Sequence, residues 1–234
     1  MSDICYAIIL ARSGSKSIKD KNIVLINNKP LVNYTIETCL ASKKINRIFF
    51  LTDSQKYVDL VNKYPIEIPY IRSKKVSKDN STDYSTIKDF LHRIKKLDYK
   101  LPNLLIHMRP TSPIREAEVV DKAIKEFIKK KQYTSLRSIH EMEESAYKTV
   151  EINKNKLVSS FSKIEDLDKI NKARQNYNKT FYPNGYVDIL RVNYIFKNNR
   201  LYGNKVMPFI TADPIEIDSK RKISFLEFML TKNK

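Results

Sequence analysis

A cationic loop follows the first apolar segment of the chain, in AIILARSGSKSIKDKN. The apolar run from Tyr6 to Ala11 is typical of a buried strand, and polar residues begin directly after it. Glycine lets backbone N–H groups approach an anion, and guanidinium, ammonium, hydroxyl and amide groups bind phosphate oxygens. A solvated turn rich in serine and lysine is the alternative, but the direct succession to a buried strand favours a triphosphate site. The candidate contacts are Arg12, Ser13, Gly14, Ser15, Lys21 and Asn22.

Two carboxylates stand two residues apart near the end of the sequence, at Glu216 and Asp218 in PIEIDS. Side chains at this spacing face the same side of a strand, and a strand is predicted over 215–217. Such a pair could bind Mg²⁺ beside phosphate oxygens. The residues alone leave a second interpretation open, which is an exposed face of an edge strand.

The segment FYPNGYVDI combines a turn signal with a strand. Asn184 and Gly185 are typical of a tight turn that enters a strand. Tyr186 and Asp188 follow at a spacing of two, so both side chains are expected to face the same side of that strand.

The histidines and cysteines are expected to be structural. The three histidines have no metal-ligand spacing, and His107 lies in a predicted buried strand, where a hydrogen-bonded core histidine is expected. Cys5 and Cys39 are interpreted as buried thiols in a reducing cytosol, which predicts a cytoplasmic location.

The elements that must position these residues alternate between strand and helix. Alternation of this kind predicts an α/β fold with a doubly wound, mostly parallel sheet, here as a single domain over 1–234. Ligands bind such sheets at the carboxyl ends of the strands, where the candidate segments fall. The predicted strands are 5–11, 48–52, 66–71, 104–108, 134–139 and 186–190, and the predicted helices are 30–41, 84–97, 116–130 and 223–230.

Residues 141–182 interrupt this alternation. The segment is polar and has only short strand-like pieces, such as 148–152. We therefore expect a small dimerisation arm that reaches toward a second subunit and helps to complete its site.

The chain is strongly basic. Its 234 residues include 44 Lys and Arg against 26 Asp and Glu, which gives a net charge of +18. The lysines are dispersed and lack the interleaved aromatic residues of single-strand binders, so we interpret them as a solvated surface and expect no nucleic-acid partner. No apolar run is long enough to span a bilayer, so no membrane partner is expected either.

Several segments, taken in order, resemble motifs of the CMP-nonulosonic acid synthetases. This family of acylneuraminate cytidylyltransferases includes the CMP-sialic, CMP-legionaminic and CMP-pseudaminic acid synthetases. The resemblance covers nearly the whole chain, and its first loop and its fourth segment are specific as a pair. The matching segments are Ala11–Asn22, Thr52–Ser54, Arg72, Arg109–Arg115, Arg174 and Gln175 with Pro183–Gly185, and Ile215–Asp218.

This resemblance implies a Rossmann-like nucleotidyltransferase fold, similar to the GT-A fold, and a reaction. CMP would pass from CTP to an acidic nine-carbon sugar, with release of pyrophosphate, Mg²⁺ as cofactor and a homodimer as the assembly. Arg12, Lys21 and Asp218 would be catalytic. The nucleotide contacts would be Arg12, Ser13, Gly14, Ser15, Lys21, Asn22, Arg72, Ser81, Arg109, Pro110 and Thr111, the sugar contacts Arg174, Gln175, Asn184, Tyr186 and Asp188, and the metal ligands Glu216 and Asp218.

The chain departs from the family pattern near the expected sugar. Tyr186 replaces a small residue and Asp188 replaces a tyrosine, which favours a deoxy, diamino nine-carbon sugar over N-acetylneuraminate. Two alternatives stay open. One is a related nucleotidyltransferase with another acidic or phosphorylated acceptor, and the other is a non-catalytic basic binding protein.

Overall fold

The computed structural model describes residues 3–15, 17–73, 82–161 and 166–232, apart from the side chains of Arg174 and Lys232. The strands are β1 (Cys5–Leu10), β2 (Leu25–Ile26), β3 (Lys29–Pro30), β4 (Arg47–Leu51), β5 (Leu104–His107), β6 (Ser135–Glu141), β7 (Val150–Asn153), β8 (Lys156–Ser159), β9 (Phe181–Arg191) and β10 (Val206–Ile210). The helices are α1 (Leu31–Ala41), α2 (Gln55–Val61), α3 (Asp83–Lys96), α4 (Ala117–Lys129), α5 (Val192–Asn198) and α6 (Lys220–Lys232).

The main sheet has six strands in the order β4, β1, β5, β9, β6, β10. Every pair is parallel except the two that β9 makes with its neighbours β5 and β6. The prediction of a mostly parallel sheet is therefore confirmed. Since β1, β4 and β5 run side by side in one direction, the loops that follow them meet at one edge of the sheet.

Helices cover both faces of the sheet, as the doubly wound prediction requires. Alternate residues of β1 point to opposite faces, so Ala7 and Ile9 pack with α1 and α4 while Tyr6 and Ile8 pack with α3 and α5. The apolar stripe on α4 explains its position, because its buried residues recur at helical spacing. A third, smaller cluster joins α6 to the segment between β1 and α1 through Leu226, Ile217 and Ile18.

Two predicted strands are wrong. Residues 66–71 form no strand; a single parallel bridge joins Glu67 to Phe49 of β4, and Pro65 and Pro69 limit further pairing. Residues 215–217 also lack regular structure, because Ile215 has a left-handed backbone with φ of 54°. The alternation that was used to place Glu216 and Asp218 on one strand face therefore does not apply.

A bulge separates two halves of the pairing between β6 and β9. Arg137 pairs with Asp188, yet Ile139 pairs with Pro183. Six residues of β9 (183–188) thus stand opposite three of β6 (137–139), and the chain at 184–187 departs from regular alternation. This bulge decides where the Pro-Asn-Gly segment lies.

The segment 141–182 lies outside the main sheet, apart from the ends of β6 and β9. It contains the β7–β8 hairpin, on which Ile152 is 77% exposed and Leu157 50% exposed. Tyr147 packs against Phe161 and stacks on Tyr177, with ring centroids 4.4 and 5.5 Å away. The described part of the arm thus presents apolar side chains to solvent. Of the helices described, none has the length and apolar character to cross a membrane.

Candidate active site

A cavity of about 210 Å³ lies at the carboxyl ends of β1 and β5. Eight of the predicted nucleotide contacts line it, although they come from segments up to about a hundred residues apart. Its lining is Leu10, Arg12, Ser15, Lys21, Asn22, Arg72, Asp83, Thr86, His107, Arg109, Pro110 and Thr111. The structure therefore brings together the first loop, the third-strand arginine and the Arg109 segment, as the topology predicts.

Side chains hold the first loop in shape. Asn22 Nδ2 donates a hydrogen bond to the carbonyl oxygen of Arg12 at 2.9 Å, and Asp53 Oδ1 accepts one from the Ser13 N–H at 2.7 Å. Gly14 has φ of 70°, a conformation that costs other residues energy, and no neighbour lies within 4 Å of its missing Cβ. Ser13 and Gly14 do not line the cavity. Gly14 therefore allows the backbone conformation of the turn, and Asp53 connects the loop to the end of β4 through its hydrogen bond with Ser13.

Arg72 reaches the cavity from an irregular segment. Its N–H donates to the carbonyl oxygen of Thr52 at 2.8 Å, and its Nη2 donates to Thr86 Oγ1 on α3 at 3.1 Å. The residue is 6% exposed, and this burial lowers the pKa of its guanidinium. Ser81, the other predicted base contact, lies outside the described residues.

Arg109 lies between two carboxylates at the wall of the cavity. Its Nη2 donates to Asp83 Oδ2 at 2.7 Å and lies 3.6 Å from Asp188 Oδ2. Burial lowers the pKa of Arg109, but Asp83 and Asp188 outweigh burial and raise that pKa above its usual value. A Cβ on Gly185 would lie only 2.8 Å from Arg109 Cδ, so glycine leaves the room that this arginine occupies.

Tyr186 and Asp188 do not face the same side of β9, so this prediction is wrong. Tyr186 packs in the cluster of α1 and α4, whereas Asp188 lies on the opposite face, where its Oδ2 accepts a hydrogen bond from the Tyr202 hydroxyl at 2.9 Å. The bulge at 184–187 breaks the alternation. Asp188 is only 1% exposed and also lies 3.7 Å from Arg137 Nε, so it forms a buried ionic network rather than an open surface.

The other predicted sugar contacts lie apart from the cavity. Asn184 is 2% exposed, and its Nδ2 donates to Thr211 Oγ1 at 2.7 Å, which fixes the bulge to the end of β10. Gln175 lines a separate cavity of about 570 Å³ on the arm, together with Glu141 and Thr180. Arg174 lies in the 3-10 turn Arg174–Asn176, and its side chain lies outside the described parts of the chain.

The two predicted metal ligands have different surroundings. Glu216 Oε1 accepts a hydrogen bond at 3.1 Å from the hydroxyl of Thr111, which lines the cavity. Asp218 Oδ2 instead lies 2.8 Å from Lys222 Nζ at the start of α6, and this hydrogen bond lowers the pKa of Asp218. Within the described ranges, no group of three or more His, Cys, Asp or Glu could hold a metal ion. A metal here would need further ligands from a substrate or water.

Sequence reasoning did not assign three polar residues that line the cavity, which are Asp83, Thr86 and His107. Asp83 and Thr86 are three residues apart on the first turn of α3, a spacing that places them on one face. His107 stands two residues before Arg109, the spacing that puts strand side chains on one side. Both spacings were available in the sequence.

Arg115 is a further residue to which sequence reasoning gave no role, and it joins the segments around the site. Its Nε donates to the carbonyl oxygen of Tyr186 at 2.6 Å, and its Nη1 donates to Thr35 Oγ1 at 2.9 Å. Its Nη2 donates to the carbonyl oxygen of Gly185 at 2.9 Å. Burial lowers the pKa of Arg115 to about 10. This residue therefore connects the bulge of β9 to α1.

A family model described as Cytidylyltransferase matches residues 6–227. The CMP-N,N'-diacetyllegionaminic acid synthase of Legionella pneumophila is 27% identical over 217 residues, which cover 91% of this chain and 90% of that protein. The N-acylneuraminate cytidylyltransferase of Escherichia coli O18:K1:H7 is 26% identical over 219 residues, which cover 94% of this chain but 50% of that protein. The solved structure of CMP:2-keto-3-deoxy-manno-octonic acid synthetase complexed with CTP shares the fold, with a TM-score of 0.73, 12% identity, and coverage of 99% of this chain and 100% of that one. The chain belongs to the cytidylyltransferase family and is a CTP-dependent nucleotidyltransferase.

Proposed function

We propose that the protein transfers CMP from CTP to an acidic nine-carbon sugar. A hydroxyl oxygen of the sugar forms a bond to the α-phosphorus of CTP, the bond from that phosphorus to the bridging oxygen of the β-phosphate breaks, and pyrophosphate leaves. The hydroxyl proton is released in the same reaction. The observation that supports this proposal most is the cavity at one edge of the sheet, where Arg12, Lys21 and Arg72 lie together. This cavity belongs to a chain of the cytidylyltransferase family.

The first loop would bind the triphosphate. Arg12 and Lys21 are the cations that the first loop contributes to the cavity, and Ser15 and Asn22 line it beside them. Phosphoryl transfer depends mostly on positioning and on stabilising charge, and an arginine and a lysine fixed by the loop supply both. Asp53 would support this role, because it holds the loop through the Ser13 N–H.

The other end of the cavity would bind the cytosine. Arg72 is anchored on Thr86, so its position is fixed before a ligand arrives, which lowers the entropy cost of binding. A fixed guanidinium matches acceptors on the cytosine edge. Arg109, Pro110 and Thr111 would form the adjoining wall. Ser81 remains a proposed contact from the sequence alone.

Glu216 and Asp218 would hold Mg²⁺ beside the phosphates. Glu216 is hydrogen bonded to Thr111 at the cavity, and Asp218 is exposed with a surface lysine as partner, so both carboxylates fit a hard cation. The remaining ligands would be phosphate oxygens and water. When bound, Mg²⁺ would offset charge on the phosphate oxygens and lower the pKa of the attacking hydroxyl.

A second copy of the chain would complete the sugar site. The arm at 141–182 carries Arg174 and Gln175, and its exposed Ile152, Leu157 and Phe161 suit burial against a partner. A homodimer with an isologous interface would cover these side chains.

Tyr186 and Asp188 give no basis for choosing among nine-carbon sugars. Asp188 is paired with arginines and buried, so it does not present a free carboxylate to the acceptor. Asn184 and Tyr186 would act through the backbone of the bulge, whose carbonyl oxygens Arg115 already fixes. The proposal therefore names the acceptor as an acidic nine-carbon sugar and leaves its substituents to the experiment.

The test is pyrophosphate release from CTP with a panel of acceptors and Mg²⁺. The panel contains N-acetylneuraminate, a diacetamido legionaminate or pseudaminate, an eight-carbon keto-deoxy acid and a sugar phosphate. Turnover with a nine-carbon acid, and with CTP in preference to ATP, GTP and UTP, is expected. Turnover only with the eight-carbon acid or the sugar phosphate would favour the alternative acceptor. Polyanion binding with a steep salt dependence and no turnover would favour the basic binding protein.

A further inference from the structure

The floor of the nucleotide cavity contains a histidine that no assigned role uses. His107 ends β5, lines the cavity with Leu10 and Thr86, and is 1% exposed. Its Nδ1 is buried and has no hydrogen-bond partner among the described residues. His107 is buried as predicted, but the prediction that it is hydrogen bonded is wrong for Nδ1. Buried polar atoms nearly always have a hydrogen-bond partner, so we expect a bound ligand to supply the partner of this nitrogen.

The surroundings of His107 favour the uncharged form of its ring. Burial lowers the pKa of His107 to about 3, and the neighbouring Arg109 lowers it as well. A neutral imidazole has one nitrogen that donates and one that accepts. It can therefore hydrogen bond a hydroxyl, a carbonyl or an amine, but it adds no positive charge for a phosphate.

The position of His107 also favours the uncharged part of the ligand. Leu105 packs in the cluster of α3, and His107 lies two residues further along the same strand, so it faces α3. Thr86 on α3 holds Arg72, the candidate cytosine contact. The phosphate-binding candidates Arg12 and Lys21 lie instead on the loop after β1.

We propose that His107 is a specificity-determining contact of this cavity and that its Nδ1 hydrogen bonds the nucleoside part of CTP. The inference rests on the proposed function, because it takes CTP as the ligand of the cavity. It adds a residue that neither the motifs nor the loop chemistry indicates. A site built to hydrogen bond a group discriminates against ligands that lack it, since the buried nitrogen is then left unpaired.

The first experiment compares His107→Leu and His107→Gln with the wild type. Leucine removes the buried nitrogen, so the melting temperature without ligand should stay equal or rise, while the Kd for CTP measured by calorimetry should increase about tenfold, as for one lost hydrogen bond. Glutamine can hydrogen bond and should restore part of the affinity. His92→Leu is the matched control, because His92 is an exposed histidine whose one hydrogen bond to a described residue lies within α3. This variant should bind CTP like the wild type.

The second experiment identifies the part of the ligand that His107 contacts. The same variants are titrated with 2'-deoxy-CTP, UTP and inorganic triphosphate. A loss of affinity for CTP without a loss for inorganic triphosphate supports the nucleoside contact, and an equal loss for both overturns it. If His107→Leu raises the Kd for 2'-deoxy-CTP less than it raises the Kd for CTP, the contact is the ribose. If it raises the Kd for UTP less than it raises the Kd for CTP, the contact is the base.

The two proposals fail in different ways. A wild type that binds no CTP contradicts the proposed function itself. A wild type that binds CTP while His107→Leu binds it equally well contradicts only the role of His107. A large fall in the melting temperature of His107→Leu without ligand would show a structural histidine and would also overturn the inference.

Discussion

Arg109 Nη2 lies 2.7 Å from Asp83 Oδ2, so the wall of the cavity is tied to the first turn of α3. Asp83 is the first residue of the helix that supplies Thr86, and Arg109 follows the strand that supplies His107. One ion pair therefore sets the distance between two elements that line the same cavity. The guanidinium of Arg109 is thus paired with carboxylates of the protein itself.

The substitution Asp83→Asn should weaken this connection in a pH-dependent way. Burial alone would raise the pKa of Asp83, but the positive charges around it, Arg109 among them, lower it overall. A carboxyl with a lowered pKa contributes stability that is complete above its unfolded-state pKa of about 3.9 and is lost as the pH falls through its lower folded-state pKa. The difference in free energy of unfolding between wild type and variant, from urea titrations, should be constant from about pH 5 to 8.

Below about pH 4 the difference in free energy of unfolding between wild type and Asp83→Asn should shrink toward zero. The wild-type carboxyl is then protonated, so it is uncharged like the asparagine of the variant. Asp59→Asn is the control, since Asp59 is exposed and its one hydrogen bond to a described side chain comes from Gln55 in the same helix, α2. A difference for Asp83→Asn that is the same at all pH values would mean that the charge of Asp83 has no role.

Gly185→Ala and Gly14→Ala form a matched pair that separates backbone strain from crowding. Both glycines have positive φ, 65° and 70°, so both alanines should lose about 1–2 kcal/mol of stability. Only at position 185 does the new Cβ meet a neighbour, Arg109 Cδ at 2.8 Å. Gly185→Ala should therefore cost more stability in thermal unfolding, and it should also lower CTP affinity by displacing Arg109. Equal losses of stability for the two variants would show that Arg109 moves without cost.

Asp218→Asn should separate metal binding from surface pairing. If Asp218 holds Mg²⁺, the variant should fold normally and lose kcat by about a hundredfold or more, the scale of about 3 kcal/mol of lost transition-state stabilisation. Lys222→Gln removes the only ion pair that Asp218 makes among the described side chains and should leave kcat near normal. Comparable, small effects of the two substitutions would identify Asp218 as an ordinary surface partner of Lys222.

Ile152→Lys should dissociate the proposed dimer. The wild type should scatter light as a dimer at micromolar concentration, and a charge on this 77% exposed isoleucine of β7 should shift the mass toward the monomer and lower activity with it. Leu97→Lys is the control, because Leu97 is 52% exposed but lies at the end of α3, far along the chain from the arm. A fully active wild-type monomer would contradict the proposal.

The parts of this fold that could be predicted from the sequence are those set by the spacing of apolar residues along a helix or strand and by the order of parallel strands. The stripe on α4 and the alternation of β1 are local patterns, and the sequence predicts both elements to within two residues. The convergence of the loop at Arg12 with the segment at Arg109 then follows from parallel strand order alone. No long-range information was needed for either.

The remaining features depend on contacts that no local pattern contains. Alternation places Tyr186 and Asp188 together only if β9 is regular, and the bulge against β6 arises from pairing with a distant strand. Ile215 adopts a left-handed backbone conformation, which is unusual for a β-branched residue. Because such residues favour extended backbone, the sequence pattern predicts a strand at 215–217. The missing partner of His107 is likewise a property of its surroundings and not of its neighbours in sequence.

The position of β9 has a consequence for the synthesis of this protein. β9 lies between β5 and β6 in the sheet but follows both in the chain, so until residues 181–191 emerge a nascent chain has a partial sheet of β4, β1 and β5 with an unpaired edge at β5, and β6 has no strand partner. The edge at β5 is apolar and wholly buried in the finished fold, and such edges pair readily with other chains. We expect a chain that ends at residue 180 to sediment at concentrations where the full chain stays in the supernatant; a monodisperse fragment would contradict this. We therefore expect the edge of β5 to be open to other chains while residues 108–190 are translated.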